Sequence, residues 1–149
     1  MARYVTTVRT PWTPEAAFAY MADLRHFAQW DPGVTKAEQA VGNGAGPGAE
    51  FDVTVRNGGV GMTLRYRTVS FNAPHHVLVV ASTPLLTSED RITVVPESDG
   101  GASVTYDADL RLSGPLRLFD PALGVAFGRI GDRAAAGMRA ALNAATPVR

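Results

Sequence analysis

The sequence predicts an α+β fold in which several antiparallel strands precede one long helix. Between residues 51 and 112, apolar and polar residues alternate with a period of two, which is typical of antiparallel strands with one solvated face. From Leu116 to Ala141, apolar residues recur at steps of three and four, which predicts an amphipathic helix of roughly seven turns. Strands followed by a helix indicate α+β rather than alternating βαβ units. The length of 149 residues favours a single domain, residues 1–149.

The first third of the chain is predicted to form one strand and two short helices. Tyr4–Arg9 is rich in Val and Thr and therefore favours a strand. In Thr13–Glu15, the threonine can cap a helix, the proline fits its first position and the glutamate suits its positive end. Asp23 can cap a second short helix, Leu24–Gln29. Asp31–Val34 has Pro and Gly at its centre, which predicts a type II turn that ends this helix.

Six further strands follow, which makes about seven in all. Turn-forming segments separate them, including the loop Gly42–Gly48 and the hairpin signal Asn57–Gly59. A kink or break in the final helix is expected near Asp120–Pro121. The apolar faces of sheet and helix must bury each other, and a strongly curved sheet around a helix leaves space for a ligand. The six predicted strands are Thr35–Val41, Phe51–Arg56, Met62–Arg67, Val77–Ser82, Glu89–Val95 and Ser103–Leu112.

Composition excludes several classes of function. Fourteen basic and fourteen acidic residues give zero formal charge, which argues against a nucleic-acid partner and an electrostatic membrane anchor. The absence of cysteine removes disulfides, thiolate metal sites and cysteine nucleophiles. No apolar run approaches the ~20 residues that span a bilayer, so stable membrane insertion is not expected. The first ten residues lack a signal-peptide pattern, and thirteen Arg stand against one Lys, so a bacterial, cytoplasmic protein is the expectation.

One set of motifs carries a family resemblance. It consists of the run Thr10–Leu24 with its Pro-Glu helix start and Asp-Leu junction, then Phe27, Trp30, Asp31–Val34 and Pro47–Phe51. With these residues the chain resembles the START-like polyketide cyclase/dehydrase superfamily, often called SRPBCC. The resemblance implies the helix-grip fold of pollen allergens and lipid-transfer domains: a strongly curved antiparallel sheet of about seven strands around a long C-terminal helix, with two short helices after the first strand. It also implies a deep apolar cavity, but no fixed catalytic motif.

The predicted ligand-binding residues combine the apolar face of the strands with the apolar stripe of the last helix. Tyr66 and Tyr106 lie on the apolar face of their strands, where a hydroxyl needs a partner. That partner is either a ligand or, in an ordinary core, the backbone. Trp30 either closes the cavity mouth or packs under the turn that follows it. The full set is Trp30, Phe51, Val53, Met62, Leu64, Tyr66, Val104, Tyr106, Leu110, Leu123, Phe127 and Ile130.

Other polar residues are interpreted as structural. The adjacent pair His75–His76 is expected in a solvated turn, and His26 on the surface, so no metal site and no cofactor are predicted. Asp107 and Asp109 alternate with the apolar residues of their strand, so they are expected on the solvated face of the sheet. Asp90 shares the parity of the apolar residues on its strand; if it is buried, its pKa rises and it becomes a functional candidate. A position at the strand end, in water, is the favoured interpretation.

Three hypotheses for function remain. The first is binding of a small hydrophobic molecule, such as a lipid, isoprenoid or polyketide, between the sheet and the C-terminal helix. The second is a polyketide cyclase or dehydratase that folds a poly-keto chain in the same space, where tyrosines or a buried acid move protons. The third is a protein-interaction or stress-response module, which needs an exposed apolar patch. Whether the protein is a monomer or a homodimer stays open.

Overall fold

A computed structural model describes residues 2–57 and 60–144. Seven strands, three α-helices and two 3₁₀ helices follow one another along these residues. In chain order they are β1 (Ala2–Thr10), α1 (Pro14–Ala22), a first 3₁₀ helix (Leu24–His26), α2 (Phe27–Trp30), β2 (Val34–Val41), β3 (Glu50–Asn57), β4 (Val60–Asn72), β5 (His76–Ser82), β6 (Leu86–Pro96), β7 (Ala102–Leu112), a second 3₁₀ helix (Gly114–Phe119) and α3 (Asp120–Leu142).

The seven strands form one antiparallel sheet in the order β1-β7-β6-β5-β4-β3-β2. Strands β2 to β7 pair with their neighbours along the chain, and β1 then pairs with β7, from Ala2 opposite Leu110 to Thr10 opposite Ala102. Strands β1 and β2 are therefore the two edges of an open sheet. The predicted α+β class, the seven strands, the two short helices after β1 and the long C-terminal helix are confirmed.

Local signals place the short helices as expected. The side chain of Thr13 accepts a hydrogen bond from the Ala16 amide at 3.2 Å, which caps α1. The Asp23 carboxylate accepts from the Arg25 amide at 3.1 Å and begins the first 3₁₀ helix. The type II prediction for Asp31–Val34 is wrong, because Gly33 does not have the positive φ which that turn requires. Instead the Asp31 carboxylate accepts from the Gly33 amide at 2.8 Å.

Two predictions concern the remaining turns. The break near Asp120–Pro121 is confirmed, because the second 3₁₀ helix ends at Phe119 and α3 begins at the next residue. In the hairpin signal Asn57–Gly59, both glycines lie outside the described residues. Asn57 and Val60, which flank them, are opposite each other in the β3–β4 pairing.

The second half of α3 approaches the rest of the molecule closely. Gly131 lies against the ring of Tyr4 on β1, and Gly137 against the backbone carbonyl of Trp30. At both positions a Cβ atom would overlap its neighbour, so glycine is needed for the contact. The Tyr4 hydroxyl also donates to Asp132 at 2.8 Å. These contacts place α3 across β1 and α2.

The last turn of α3 is tied to the end of β1. The Thr10 hydroxyl donates to the carbonyl of Leu142, and the indole nitrogen of Trp12 donates to the carbonyl of Ala144 at 3.0 Å. Carbonyls at the end of a helix have no partner within the helix, so these two side chains satisfy groups that would otherwise face an apolar core.

The outer face of the sheet is polar, as the alternation of polar and apolar residues along the strands predicts. Asp107 forms a two-pronged ion pair with Arg3, at 2.8 and 3.0 Å, and Asp52 forms another with Arg65. Asp109 also lies on this face, half-buried. Among residues 2–57 and 60–144, no helix has the length and apolar character needed to cross a lipid bilayer.

Candidate functional site

Four polar side chains form one hydrogen-bonded group on the inner face of the sheet, the face that the helices cover. The Tyr106 hydroxyl donates to Asp90 Oδ2 at 2.6 Å. The Ser88 hydroxyl donates to Asp90 Oδ1 at 3.4 Å, and Tyr66 Oη lies 2.8 Å from Ser88 Oγ. All four side chains are buried, and Asp90 is only 3% exposed. We call Tyr66, Ser88, Asp90 and Tyr106 the inner-face network.

Sheet register explains how residues from three strands meet. Ser88 and Asp90 are two apart on β6, so both point inward, and Tyr106 lies on the neighbouring β7. Tyr66 is on β4, one strand beyond β5. The residue between Tyr66 and Ser88 on β5 is Ala81, which is opposite both of them. Because alanine carries only a methyl group, the Tyr66 phenol reaches over β5 to Ser88.

Aromatic rings hold the other end of the network. Trp30 stacks on Phe27 with a centroid distance of 4.6 Å and an interplanar angle of 15°. Both rings meet Tyr106 edge to face, with centroids 5.3 and 6.5 Å from it. Trp30 is 3% exposed, so of its two predicted positions it takes the packed one, inside the core. The rings restrict the Tyr106 phenol to the orientation that reaches Asp90.

Burial dominates the electrostatics of Asp90. It raises the pKa of this carboxyl from 3.8 to about 7, and the nearby carboxyl of Asp31 adds to the rise. Hydrogen bonds from Tyr106 and Ser88 act in the opposite direction, because they stabilise the ionised form. Near neutral pH the network therefore populates both protonation states of Asp90.

The two phenols stay protonated. Burial, and next the negative charge of Asp90, raise the pKa of Tyr66 and of Tyr106 well above 10. When Asp90 is ionised, Ser88 and Tyr106 donate to it and Tyr66 donates to Ser88. When Asp90 is protonated on Oδ1, it can donate to Ser88, and the hydroxyls of Ser88 and Tyr66 can reverse direction, because a hydroxyl both donates and accepts. The Tyr66 proton then becomes free for another acceptor.

The apolar residues predicted to bind a ligand occupy two environments. Phe51, Val53, Leu64 and Val104 are at most 4% exposed and form part of the closed core. Five others are only half-buried, two on the inner face of the sheet and three on α3. We call these five the half-covered residues; they are Met62, Leu110, Leu123, Phe127 and Ile130.

The half-covered residues adjoin the network through β7. Leu110 is opposite Ser88 in the β6–β7 pairing, and both side chains point inward. Met62 lies on the same face of β4 as Tyr66. The inner face therefore passes from a closed core through Ser88 and Tyr66 to apolar side chains that retain exposed surface.

The first half of α3 is less covered than the predicted stripe requires. Phe119, expected on the apolar stripe, is 61% exposed and belongs to the 3₁₀ helix before α3. On α3 itself, the stripe residues Leu123, Phe127 and Ile130 are only half-buried. Among the described residues, buried side chains on the stripe begin only at Ala134 and continue with Met138.

A surface pocket of about 320 Å³ lies where the side of α3 meets the turn between α2 and β2. Ile130 belongs both to this pocket and to the half-covered residues. Three arginines share the lining with small and apolar residues. The lining residues are Pro32, Gly33, Arg56, Ala126, Arg129, Ile130 and Arg133.

Two polar predictions need correction. Asp90 is not at the strand end in water, because β6 begins at Leu86 and Asp90 is its fifth residue. Ser88, which the sequence analysis did not single out, had the same signal: it alternates with Leu86, Asp90 and Ile92 on one face. His26 is half-buried rather than on the surface, since its ring stacks on Tyr20 and its Nδ1 lies 2.8 Å from the Tyr20 carbonyl oxygen.

Of the pair expected in a solvated turn, His75 fits the prediction and His76 does not, because His76 is half-buried and belongs to β5. His75 is exposed in the turn before β5, and His76 is the first residue of that strand. Within the described part of the chain, no three His, Asp or Glu side chains converge to hold a metal ion.

Solved structures with the same fold are numerous, and all those described here share under 25% identity with the chain. A START superfamily protein from Mycobacterium smegmatis has a TM-score of 0.77 at 14% identity, over 95% of this chain and 97% of that one. A protein from Thermus thermophilus has a TM-score of 0.73 at 13% identity, over 93% and 94%. The di-domain ARO/CYC BexL from the BE-7585A biosynthetic pathway has a TM-score of 0.63 at 18% identity, over 97% of this chain and 50% of that one.

Sequence comparison assigns the family. No curated protein sequence matches the chain closely enough to count as a relative. The profile described as "polyketide cyclase / dehydrase and lipid transport" matches residues 1–143, almost the whole chain. Together with the START-like fold, this match shows that the chain belongs to the polyketide cyclase / dehydrase and lipid transport family.

Proposed function

We propose that the protein binds a small hydrophobic molecule between the inner face of the sheet and the first half of α3. One observation carries the proposal: five predicted ligand residues, on both the sheet and the helix, remain half-buried while their neighbours are closed into the core. Apolar surface left partly exposed on two facing elements gains free energy when a ligand covers it. Membership of a family whose description includes lipid transport supports the same function.

The network gives such a ligand a polar contact. Ser88 is opposite Leu110, so a molecule lying on Leu110 has the Ser88 and Tyr66 hydroxyls close to one end. With Asp90 protonated, Tyr66 can donate to a carbonyl or hydroxyl oxygen of the ligand. Specificity would then come from one oriented polar atom on an otherwise apolar molecule.

A blocking variant tests this placement. Leu110→Trp adds an indole ring among the half-covered residues, whereas a tryptophan at Leu64, which is 4% exposed, would disrupt the core itself. We expect the uncharged fluorescent probe N-phenyl-1-naphthylamine to bind the wild type and to lose at least tenfold in affinity for Leu110→Trp. Leu78→Trp, half-buried on the outer face of β5, is the matched control and should bind normally.

A chain-length series sharpens the test. Each methylene that a ligand buries contributes about 0.8 kcal/mol, so the affinity for 1-alkanols should rise roughly fourfold per CH₂ until the space is filled. Equal probe binding by Leu110→Trp and the wild type, with both folded by circular dichroism, would reject the proposed placement.

A second candidate, acid–base catalysis on a keto substrate, is favoured by a different observation. Asp90 has a pKa of about 7, and its hydroxyl partners connect it to Tyr66 beside the half-covered residues. Tyr66 would protonate the oxygen of a bound ketone, Ser88 would return a proton to Tyr66, and Asp90 would supply Ser88 and become ionised. The carbon-bound proton lost in the resulting enolisation would pass to water, from which Asp90 is later reprotonated.

Hydrogen exchange at carbon measures this activity directly. Exchange of the α-hydrogens of 2-decanone in D₂O can be followed by NMR, with and without protein. If the network is catalytic, Tyr66→Phe should lower the protein-dependent rate by about 10²-fold or more. Tyr4→Phe is the control, because Tyr4 bonds Asp132 on α3 and not the network. Equal exchange rates for Tyr66→Phe and the wild type would leave binding as the function.

A further inference from the structure

The pocket beside α3 is unusual in its charge. Three of its seven lining residues are arginines, Arg56, Arg129 and Arg133, and none of the described residues that line it is acidic. The chain as a whole has equal numbers of acidic and basic residues. Positive charge at this pocket is therefore a local arrangement and not a reflection of overall composition.

Two elements bring the arginines together. Arg129 and Arg133 are four residues apart on α3, so they lie on the same side of the helix, one turn apart. Arg56 is near the end of β3, and its backbone amide donates to the Gly33 carbonyl at 2.9 Å. This bond fixes the end of β3 to the turn that forms the wall of the pocket opposite α3.

Among the described residues, some arginines pair with a carboxylate and others, including the three pocket arginines, do not. Arg3, Arg25 and Arg65 each pair with a neighbouring carboxylate. None of the ion pairs formed among the described residues involves Arg56, Arg129 or Arg133. Like charges four residues apart on a helix repel each other, so an anion between the arginines would relieve an unfavourable interaction as well as gain hydrogen bonds.

The pocket shares one residue with the proposed ligand site. Ile130 lines it and is one of the half-covered residues, and Arg56 directly follows Val55, which packs on the core from the inner face of β3. We infer that the arginine pocket binds the anionic group, a phosphate or a carboxylate, of a ligand whose apolar part lies against the half-covered residues. The inference rests on the proposed binding function and defines its ligand as amphipathic.

Guanidinium chemistry suits this role. Its planar fork of N–H donors matches two oxygens of a phosphate or carboxylate at once. The pocket opens to solvent, so screening by salt will weaken the contact. We therefore expect electrostatic selectivity that is clear at low ionic strength and reduced at high ionic strength.

Three probes with the same alkyl chain separate charge from apolar contact. Decyl phosphate, decanoic acid and 1-decanol are titrated into the protein by calorimetry at low salt. We expect both anions to bind at least tenfold more tightly than the alcohol, and Arg129→Gln/Arg133→Gln to reduce the anions to the affinity of the alcohol. Arg139→Gln removes a charge from the same helix away from the pocket and should leave the selectivity unchanged. Phosphate, whose second pKa is about 6, should gain affinity between pH 5 and 7, which distinguishes it from the carboxylate.

The outcomes separate this inference from the proposed function. Equal binding of all three probes, unaffected by the arginine variants but lost in Leu110→Trp, overturns the anionic ligand and leaves hydrophobic binding intact. Anion binding that persists in Leu110→Trp and is lost in Arg129→Gln/Arg133→Gln overturns the amphipathic ligand and leaves an isolated anion site. Failure of every probe to bind overturns both.

Discussion

The two halves of α3 are held in different ways. In the second half, Gly131 and Gly137 bring the helix against Tyr4 and Trp30, and Met138 is fully buried. In the first half, Val125 is 66% exposed, and no fully buried side chain lies on the helix before Ala134 among the residues described. One half anchors the helix, while the other supplies apolar surface with room for more contact. A binding site needs both, since a fully packed helix would leave nothing for a ligand to cover.

The same residue type serves opposite purposes in the two halves. Beside Gly131 and Gly137 there is no room for a Cβ atom, whereas beside Gly124 and Gly128 nothing lies within 4 Å. In the anchored half glycine allows close approach. In the first half it lowers the intrinsic stability of the helix without any packing in return. The first half is therefore the less stable part of α3.

The largest expected effect tests whether the inner-face network, which the rings of Phe27 and Trp30 cover, excludes water. Because the folded pKa of Asp90, about 7, exceeds its unfolded value, the folded state binds a proton that the unfolded state has lost. The free energy of unfolding should therefore fall as pH rises from about 4 to about 7, by up to roughly 1.4 kcal/mol per pH unit and on the order of 4 kcal/mol in total. Asp90→Asn should lack this decrease, as measured by urea denaturation at a series of pH values.

The control for this prediction is Asp107→Asn. The ion pair with Arg3 lowers the pKa of Asp107, so its contribution to stability is lost only as pH falls below about 4, and not between pH 4 and 7. If Asp90→Asn and the wild type lose stability in parallel across that range, the network is hydrated and the contrast between a dry and an open region fails.

The next effect compares side chains along the helix. Met138→Ala removes a fully buried side chain and should lower the free energy of unfolding by about 3 kcal/mol. Val125→Ala removes exposed atoms only and should change it by less than about 0.5 kcal/mol. Chemical denaturation followed by tryptophan fluorescence measures both. Similar losses in the two variants would mean that the halves are equally packed.

The smallest expected change in the free energy of unfolding comes from replacing glycine by alanine at one position in each half of α3. Gly137→Ala places a methyl group against the Trp30 carbonyl and should cost about 2 kcal/mol despite the better helix propensity of alanine. Gly124→Ala meets open space and should increase the free energy of unfolding by about 0.5–1 kcal/mol. Thermal unfolding resolves the opposite signs. A loss at both positions would show that the first half is also packed closely.

Sequence periodicity predicted most of the fold because the strands are amphipathic and their turns are rich in glycine, proline and asparagine. Periodicity was less informative about strand ends. The β6 strand was expected to begin at Glu89, but Leu86 extends it by three residues, and this extension moves Asp90 from the strand end to the interior. Parity alone placed Asp90 on the correct face, but its burial depends on the strands and rings around it.

The candidate site was predictable only in part, for a similar reason. Tyr66 and Tyr106 were correctly placed on the inner face, yet the Ser88 link depends on Ala81 of β5, a residue far from Tyr66 in sequence but opposite it in the sheet. The arginine pocket joins α3 to the end of β3, and periodicity within either element cannot predict that contact. An apolar stripe likewise predicts which side of a helix is buried, but not how completely each turn is covered.

The position of β1 at the sheet edge has a consequence for how the protein folds. Its pairing partner is β7, so Ala2 meets Leu110 only after more than a hundred residues of chain have been synthesised. Its contact with α3 forms later still, through Thr10 and Leu142. Until then the ladder from β2 to β7 presents an unpaired edge, and closing such long loops slows folding. β1 is thus synthesised long before its partner β7 but is among the last strands of the sheet to be paired, which makes this the stage most exposed to aggregation.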